Sequence, residues 1–400
     1  MISRPSYLNA IRPFMGKNII KVLVGVRRCG KSTLLMLIRN ELTAAGVDPS
    51  SMTYINFESA KASNLKTAEA LQAHLDTRIK PEGKHYAFFD EIQQVEGWER
   101  ALASFMVDYD IDLYVTGSNA HLLSSDLATY ITGRYVQIPV YPLSFREFFD
   151  AISTEEDALD SRHAFSRYLV QGGFPFQIEL GFQQEPTLQY LEDVYSTILF
   201  KDLVQRNDIR EAELLERIMR YVFEQVGHPF SAKSIADYLK SEHRKVSVDT
   251  VYAYLNAAEK ACLLHRVPRE DAIGKRALKF NEKFYAVDCG LREALGFSNT
   301  ASIDQVLENI VFMELLRRGY DVKAGKVGDK EVDFIARKRE QVRYFQVSYL
   351  LASEETIDRE FAPLEAVRDN HPKHVLTLDE FSRERNGIRS ENLIDWLLED

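Results

Sequence analysis

Cysteine is scarce in this 400-residue chain: Cys29, Cys262 and Cys289 stand far apart, with no CxxC pair. That argues against a disulfide framework or a cysteine-built zinc site and for a reducing, cytoplasmic setting. Long apolar runs are missing too. The longest, such as "YAFF" and "LYV", are far too short to cross a bilayer. The opening "MISRPSYLNAIRPFMGKN" has no continuous apolar segment of the secretory kind, so no membrane partner is expected. A net positive charge is also lacking. The formal charge of −10 disfavours wholesale coating of nucleic acid. The imbalance is uneven, however: residues 227–283 carry 11 Lys/Arg against 7 Asp/Glu, and residues 354–400 carry 6 against 13. A local basic patch on an acidic protein is compatible with those counts. A hydrophobic fraction of 45% is ordinary for a globular protein, and the length exceeds what one core usually serves, which predicts two or three domains.

What is present is concentrated first in "KVLVGVRRCGKSTLLMLI". A β-rich run from Ile19 to Val24 leads into G-x4-G-K-S, and a helical pattern follows, which is the context that a phosphate-binding loop requires. Its glycines let backbone N–H groups curl around a phosphate, and the helix N-terminus adds partial positive charge. Gly25, Arg28, Cys29, Gly30, Lys31, Ser32 and Thr33 are the candidate nucleotide contacts. Lys31 is placed to reach the β- and γ-phosphates and Ser32 to ligate Mg²⁺.

Two further strands carry acids and polar groups. "HYAFFDEIQQ" ends in Asp90-Glu91; Asp90 is the candidate second holder of Mg²⁺, and Glu91 the candidate base for the attacking water. "DLYVTGSN" ends in a polar cluster from which Ser118 or Asn119 would contact the γ-phosphate or water, although both are equally suited to cap the helix that follows. Arg134, just before "YVQIPV", is a candidate arginine finger for a neighbouring subunit; a surface salt bridge is the plain alternative.

These words, together with "YINFE", "TGRY", "PLSFREF", "QGGFPF", "FKDLVQRNDI", "KFYAVDCGLREAL", "ENIVFMELLRRGY", "EVDFI" and "QVSYLL", resemble the AAA+ ATPases, and within them a prokaryotic family that joins such a domain to a C-terminal domain of unknown function. The resemblance implies an α/β core with a five-strand parallel sheet, ATP and Mg²⁺ as cofactors, and ATP hydrolysis.

The expected organisation is a P-loop core (1–145), a helical lid (146–212) with Arg206 as a candidate lid arginine, a winged helix-turn-helix (213–290) and a restriction-endonuclease-like α/β domain (291–400). "ELLERIMRYVFEQVG", "SAKSIADYLK" and "SVDTVYAYLNAAEKACLL" read as three helices and "LHRVPRE" with "ALKFNEKFYAV" as a hairpin. As a DNA reader, this segment would offer Ser247, Asp249, Thr250 and Tyr252 to bases. His243, Arg244 and Lys245 would precede them, and Arg269, Lys275 and Arg276 would face phosphates. A protein-binding module is the competing reading, and Asp249 would repel phosphate. In the last part Glu308, Asp333 and Gln346 occupy the order of a metal-dependent nuclease, but Gln346 is neutral and Ser348 stands where that chemistry needs a lysine. Lys326 or Lys330 would have to replace it, so the domain is expected to be inert and to serve docking, assembly or nucleic-acid binding; a homo-oligomer, with Arg134 as its finger, is among the partnerships the chain admits.

Overall fold

The computed structural model describes residues 2–80, 83–118, 131, 133–154, 160–272, 274 and 277–399, the last stretch from residue 282 for its side chains. The chain divides into two compact units, one formed by Met1–Tyr141 with Lys260–Cys262, the other by Pro142–Glu259 with Leu263–Asp400.

In the first unit the elements run α1 (Pro5–Ile11), β1 (Ile20–Val24), α2 (Lys31–Ala44), β2 (Met52–Asn56), α3 (Ala68–Asp76), β3 (His85–Asp90), α4 (Trp98–Asp108), β4 (Ile111–Gly117) and β5 (Tyr135–Pro139). The strands form one sheet in the order β2-β3-β4-β1-β5, and every pairing is parallel. All five residues of β1 and all seven of β4 are buried, as uninterrupted apolar runs require in a sheet covered on both faces. One face packs Val22, Val24, Phe89 and Val115 against Leu71, Leu102 and Phe105. The strand β4 lies between the phosphate-loop strand and the Asp-Glu strand. From β1 the chain crosses to one edge of the sheet and later returns to β5 on the other. The carboxyl end of β1 is therefore a point of divergence, where open α/β sheets hold their ligands.

The second unit opens with α5 (Phe145–Ile152), α6 (Ser161–Gln171) and α7 (Gln184–Thr197), which runs on into a π-helical stretch, Ile198–Gln205. Three helices, α8 (Ala212–Glu224), α9 (Ala232–Ser241) and α10 (Val248–Lys260), precede the hairpin β6 (Leu264–Asp271) and β7 (Ala277–Ala286). Then come α11 (Cys289–Ala294), α12 (Ile303–Arg317), β8 (Asp321–Val327), β9 (Lys330–Lys338), β10 (Gln341–Val347), α13 (Glu354–Ala366), β11 (Lys373–Thr377), β12 (Glu384–Arg385), β13 (Ile388–Asn392) and α14 (Leu393–Leu398). The hairpin does not stand apart. β6 pairs parallel to β8, so one eight-stranded mixed sheet runs β12-β13-β11-β10-β9-β8-β6-β7 across the boundary expected at residue 290. The hairpin register shifts between Val267 and Arg269; Pro268, which lacks an N–H, sits in that irregularity. The strand β10 ends at Val347, leaving Ser348 just beyond it.

All three cysteines are free. Among the described residues no helix is long and apolar enough to cross a membrane.

Candidate functional site

The loop from Gly25 to Gly30 turns sharply between β1 and α2, with Arg28 (φ 69°) and Gly30 (φ 101°) in left-handed conformations. A side chain at position 25 would place its Cβ 2.0 Å from the Val140 carbonyl oxygen, so only glycine fits there. No side chain caps α2. Its first turn therefore presents amides to an anion. The Lys31 ammonium is buried and donates to the carbonyls of Gly25 and Val26, each at 3.0 Å, inside the curve of its own loop. Ser32 is exposed and Thr33 half-buried beside it. Cys29 faces inward: its thiol donates to the Val140 carbonyl at 3.2 Å, and burial raises its pKa. Arg4 braces the loop from below, donating to the carbonyls of Cys29 (3.2 Å) and Tyr141 (3.0 Å).

Asp90 and Glu91 end β3 at the level of this loop. The Asp90 carboxylate has no exposed surface and accepts from Thr116 Oγ1 (2.5 Å), Tyr54 Oη (3.0 Å) and Asn56 Nδ2 (3.2 Å). Burial and Asp90 push the Tyr54 hydroxyl up to about 12, which keeps it a donor. Glu91 has a left-handed backbone (φ 55°), fixed by its N–H donating to Thr116 Oγ1 at 2.9 Å. This turn brings Glu91 Oε1 to 3.9 Å from Lys31 Nζ, while Glu91 Oε2 accepts from Gln93 Nε2. Left-handed non-glycine residues are costly, and they gather where geometry serves a function. The donor set of Ser32 hydroxyl and Asp90 carboxylate is all oxygen, which fits a hard cation such as Mg²⁺.

Of the other expected residues, Ser118 is buried and Asn119 lies outside the described residues. Arg134 is exposed, and its guanidinium makes no hydrogen bond or ion pair with a described residue. Its carbonyl accepts from Ile20 N–H at 2.9 Å, which places it at the amino end of β1. The phosphate loop lies at the opposite end of that five-residue strand, roughly 16 Å away at 3.3 Å per residue. Arg134 cannot reach its own loop. Arg206 pairs with Asp202 at 3.5 Å.

Thr116, Tyr54, Asn56 and Gln93 were not singled out in sequence. For three of them the signal was polarity on β2 and near the end of β4, the strands on either side of β3; the β2–β3 register brings Asn56 beside Asp90.

In the second unit the acids expected from the nuclease-like order do meet, around a cation that sequence did not propose. Lys283, on β7 of the hairpin, is buried, with its ammonium 2.8 Å from Glu308 Oε1, 2.9 Å from Glu331 Oε1 and 3.9 Å from Asp333 Oδ1. Burial alone would lower its pKa; Glu308, Asp333 and Glu331 outweigh that and raise it. Tyr285 donates its hydroxyl to Glu308 as well. Burial, then Glu308, pushes Asp333 well above the usual carboxylate range. Asp333 accepts from Val347 N–H at 2.9 Å, and Gln346 Oε1 accepts from Asp333 N–H at 3.3 Å. Lys326 and Lys330 are both exposed and make no ion pair with this cluster. Among the described residues no group of three or more His, Cys, Asp or Glu is arranged to hold a metal.

Two of the six expected DNA-facing cations are engaged with acids. Arg244 pairs with Glu213 at 2.7 Å, and Arg269 pairs with Glu331 at 3.3 Å. Ser247 caps its helix through Thr250 N–H at 3.0 Å. Asp249 and Tyr252 are exposed, as are His243 and Lys245, while Lys275 and Arg276 lie outside the described residues.

Comparison with known proteins places these features among relatives. Residues 17–149 match a family described as an AAA domain, and residues 162–302 match a domain of unknown function, DUF8612. An uncharacterized protein of Haemophilus influenzae is 37% identical over 401 aligned positions, covering 100% of this chain and 99% of that protein. An uncharacterized protein of Methanocaldococcus jannaschii is 29% identical, over 82% of this chain and 72% of its own length. Among solved structures, the Walker-type ATPase of Pyrococcus abyssi superposes with a TM-score of 0.54 at 18% identity, covering 74% of this chain and 96% of that one.

Proposed function

The chain belongs to the prokaryotic AAA+ P-loop ATPases that carry a C-terminal domain of unknown function, and from this premise we propose that it binds ATP with Mg²⁺ and hydrolyses it slowly. The observation that carries the reading is the approach of Glu91 to Lys31 across the mouth of a loop with an uncapped helix behind it. Lys31 exchanges its two carbonyl partners for phosphate oxygens, and the α2 amides bind the same group. Ser32 and Asp90 would hold the divalent cation, which supplies charge neutralisation at the phosphates when bound. Glu91 orients and deprotonates water. Gln93 holds the second oxygen of Glu91, which favours slow turnover over fast.

Lys31→Ala is expected to abolish calorimetric ATP binding. Glu91→Gln should bind ATP as wild type does and lose about 10²–10⁴-fold in turnover; wild-type turnover in Glu91→Gln rejects the base assignment. A second reading, a nucleotide-gated module that scarcely hydrolyses, draws on the exposed Arg134 at the wrong end of its own sheet. If turnover rises with protein concentration and Arg134→Ala removes the rise, neighbouring subunits supply the finger. Flat, near-zero turnover supports the gated module instead.

The second unit would read out the nucleotide state by holding a protein partner. Neutralisation of Arg244 and Arg269 by acids favours that over duplex DNA, and the cluster around Lys283 is proposed as a structural ion cluster without nuclease activity. DNA binding that falls steeply with salt would reverse the first of these assignments. Mg²⁺- or Mn²⁺-dependent cleavage lost in Asp333→Ala would reverse the second.

A further inference from the structure

One face of the second unit carries a recess and a protrusion side by side. Phe165, Leu169, Ile303, Tyr349, Leu378 and Ile394 line an apolar cleft of about 340 Å³, open to solvent, with Arg162 on its rim. Three residues beyond Leu378 stands Phe381, whose side chain is 81% exposed, the most exposed large hydrophobic among the described residues. Between them, Glu380 pairs with Arg162 at 2.5 Å while both side chains stay more than half exposed. Tyr349, at the cleft, is itself 43% exposed. An aromatic ring left in water beside an open apolar recess marks an interaction surface.

We infer that this face is a two-fold interface between copies of the chain, in which Phe381 of each copy enters the cleft of the other. The choice of a second copy rests on self-complementarity. An isologous contact requires that one patch carry both the group that inserts and the site that receives it, and here only Asp379 and Glu380 separate Leu378 from Phe381. The charges permit it: Glu380 and Arg162, paired within each chain, would exchange partners across the two-fold axis, so that each Glu380 meets the Arg162 on the rim of the opposite cleft. A buried aromatic contributes roughly 150–250 Å² of contact, so two rings with their rims form a contact at the small end of specific interfaces. The dimer is therefore expected at micromolar rather than nanomolar concentration. The inference concerns a face remote in sequence from Lys31 and Glu91 and does not rest on the ATPase reading.

Sedimentation velocity on the full chain without nucleotide, over a concentration series into the high micromolar range, tests it. Wild type should shift from monomer to dimer. Phe381→Asp, a change at an exposed position that leaves the fold intact, should weaken dimerisation about tenfold or more. Glu380→Arg and Arg162→Glu should each weaken it as well, because like charges then face one another across the axis. An equimolar mixture of these two variants should associate better than either alone. In that mixture both crosswise contacts pair opposite charges, while the contacts within each chain remain repulsive. The inference is overturned by a wild type that stays monomeric, by Phe381→Asp dimerising like wild type, or by a mixture no better than its components. It is equally overturned if Arg134→Ala removes the dimer and Phe381→Asp does not, which would locate the contact in the ATPase core.

Discussion

Lys21 has no exposed surface in the middle of β1, and a buried ammonium survives only with an anion in reach. Asp112 on β4 supplies it, while also accepting from Gly16 N–H and Tyr114 Oη at 2.8 Å each, and the Tyr114 ring lies 4.7 Å beneath the ammonium. Burial lowers the Lys21 pKa, and Asp112 opposes the fall. Asp112→Asn should therefore cost about 3–5 kcal/mol, because it strands a charge. The double change Lys21→Met with Asp112→Leu should cost far less. Urea titrations of both variants decide it; equal losses would mean that the charge itself is not the problem. At this scale the sequence was most readable where a motif fixes chemistry. Lys31, Asp90 and Glu91 stand where strand-loop-helix and strand-acid patterns put them. Ser118 rather than Thr116 draws the eye in sequence, because nothing along one strand tells which hydroxyl faces an acid on the strand beside it. Lys283 was invisible for a related reason: its partners lie on α12 and β9, and its own stretch reads as a hairpin.

Among the elements, the turn after α6 shows how a breaker in sequence becomes a fitted joint. "QGGFPF" predicts an interruption, and the structure supplies the reason. A Cβ at Gly172 would fall 1.9 Å from Asp288 Oδ1, and one at Gly173 would fall 2.2 Å from the Leu143 carbonyl oxygen. Asp288 caps α11 through Gly290 N–H (2.9 Å) and accepts Gly173 N–H at 2.7 Å. Burial raises its pKa to about 6, with those two N–H bonds and Arg317 opposing. The folded state thus keeps a proton that the unfolded chain releases near the ordinary value of about 3.9. The stabilising contribution is complete below that value and is lost as pH rises through about 6, a change on the order of 2–3 kcal/mol. His265 works in the opposite sense: burial, then Arg317, lowers it to about 4, so protonation of the unfolded chain costs stability as pH falls from about 6.5. The two slopes oppose one another in wild type. The difference between the stability curves of wild type and Asp288→Asn should isolate the falling limb between pH 4 and 6, and a flat difference would place the Asp288 proton elsewhere. Other elements were less legible. β8 was not anticipated, since "DVKAGKV" is short, polar at its start and broken by Gly325. The π-helical stretch after α7 has the same three-and-four spacing as an ordinary helix.

For the molecule as a whole, composition and length predict two or three domains, and the chain divides into two compact units; the five-strand core is readable because continuous apolar runs alternate with helical ones. Its neighbours downstream were harder to separate. Three helices and a hairpin look self-contained in sequence, yet the strand pairing of β6 with β8 joins residues more than fifty positions apart, and no periodicity within either segment announces it. A search for linkers fails here because the chain has none where the pattern changes.

That shared sheet sets a limit on dissection. Expression of residues 291–400 alone would leave the β8 edge without its neighbour, a template for self-pairing, and would strip Glu308, Glu331 and Asp333 of the buried lysine they share. Such a fragment should elute as aggregate and lack a cooperative melt, whereas residues 142–400 should remain soluble and unfold cooperatively. A well-behaved 291–400 fragment would show that the ammonium from β7 is dispensable. The last quarter of the chain, on this account, matures only after the hairpin ahead of it has been made.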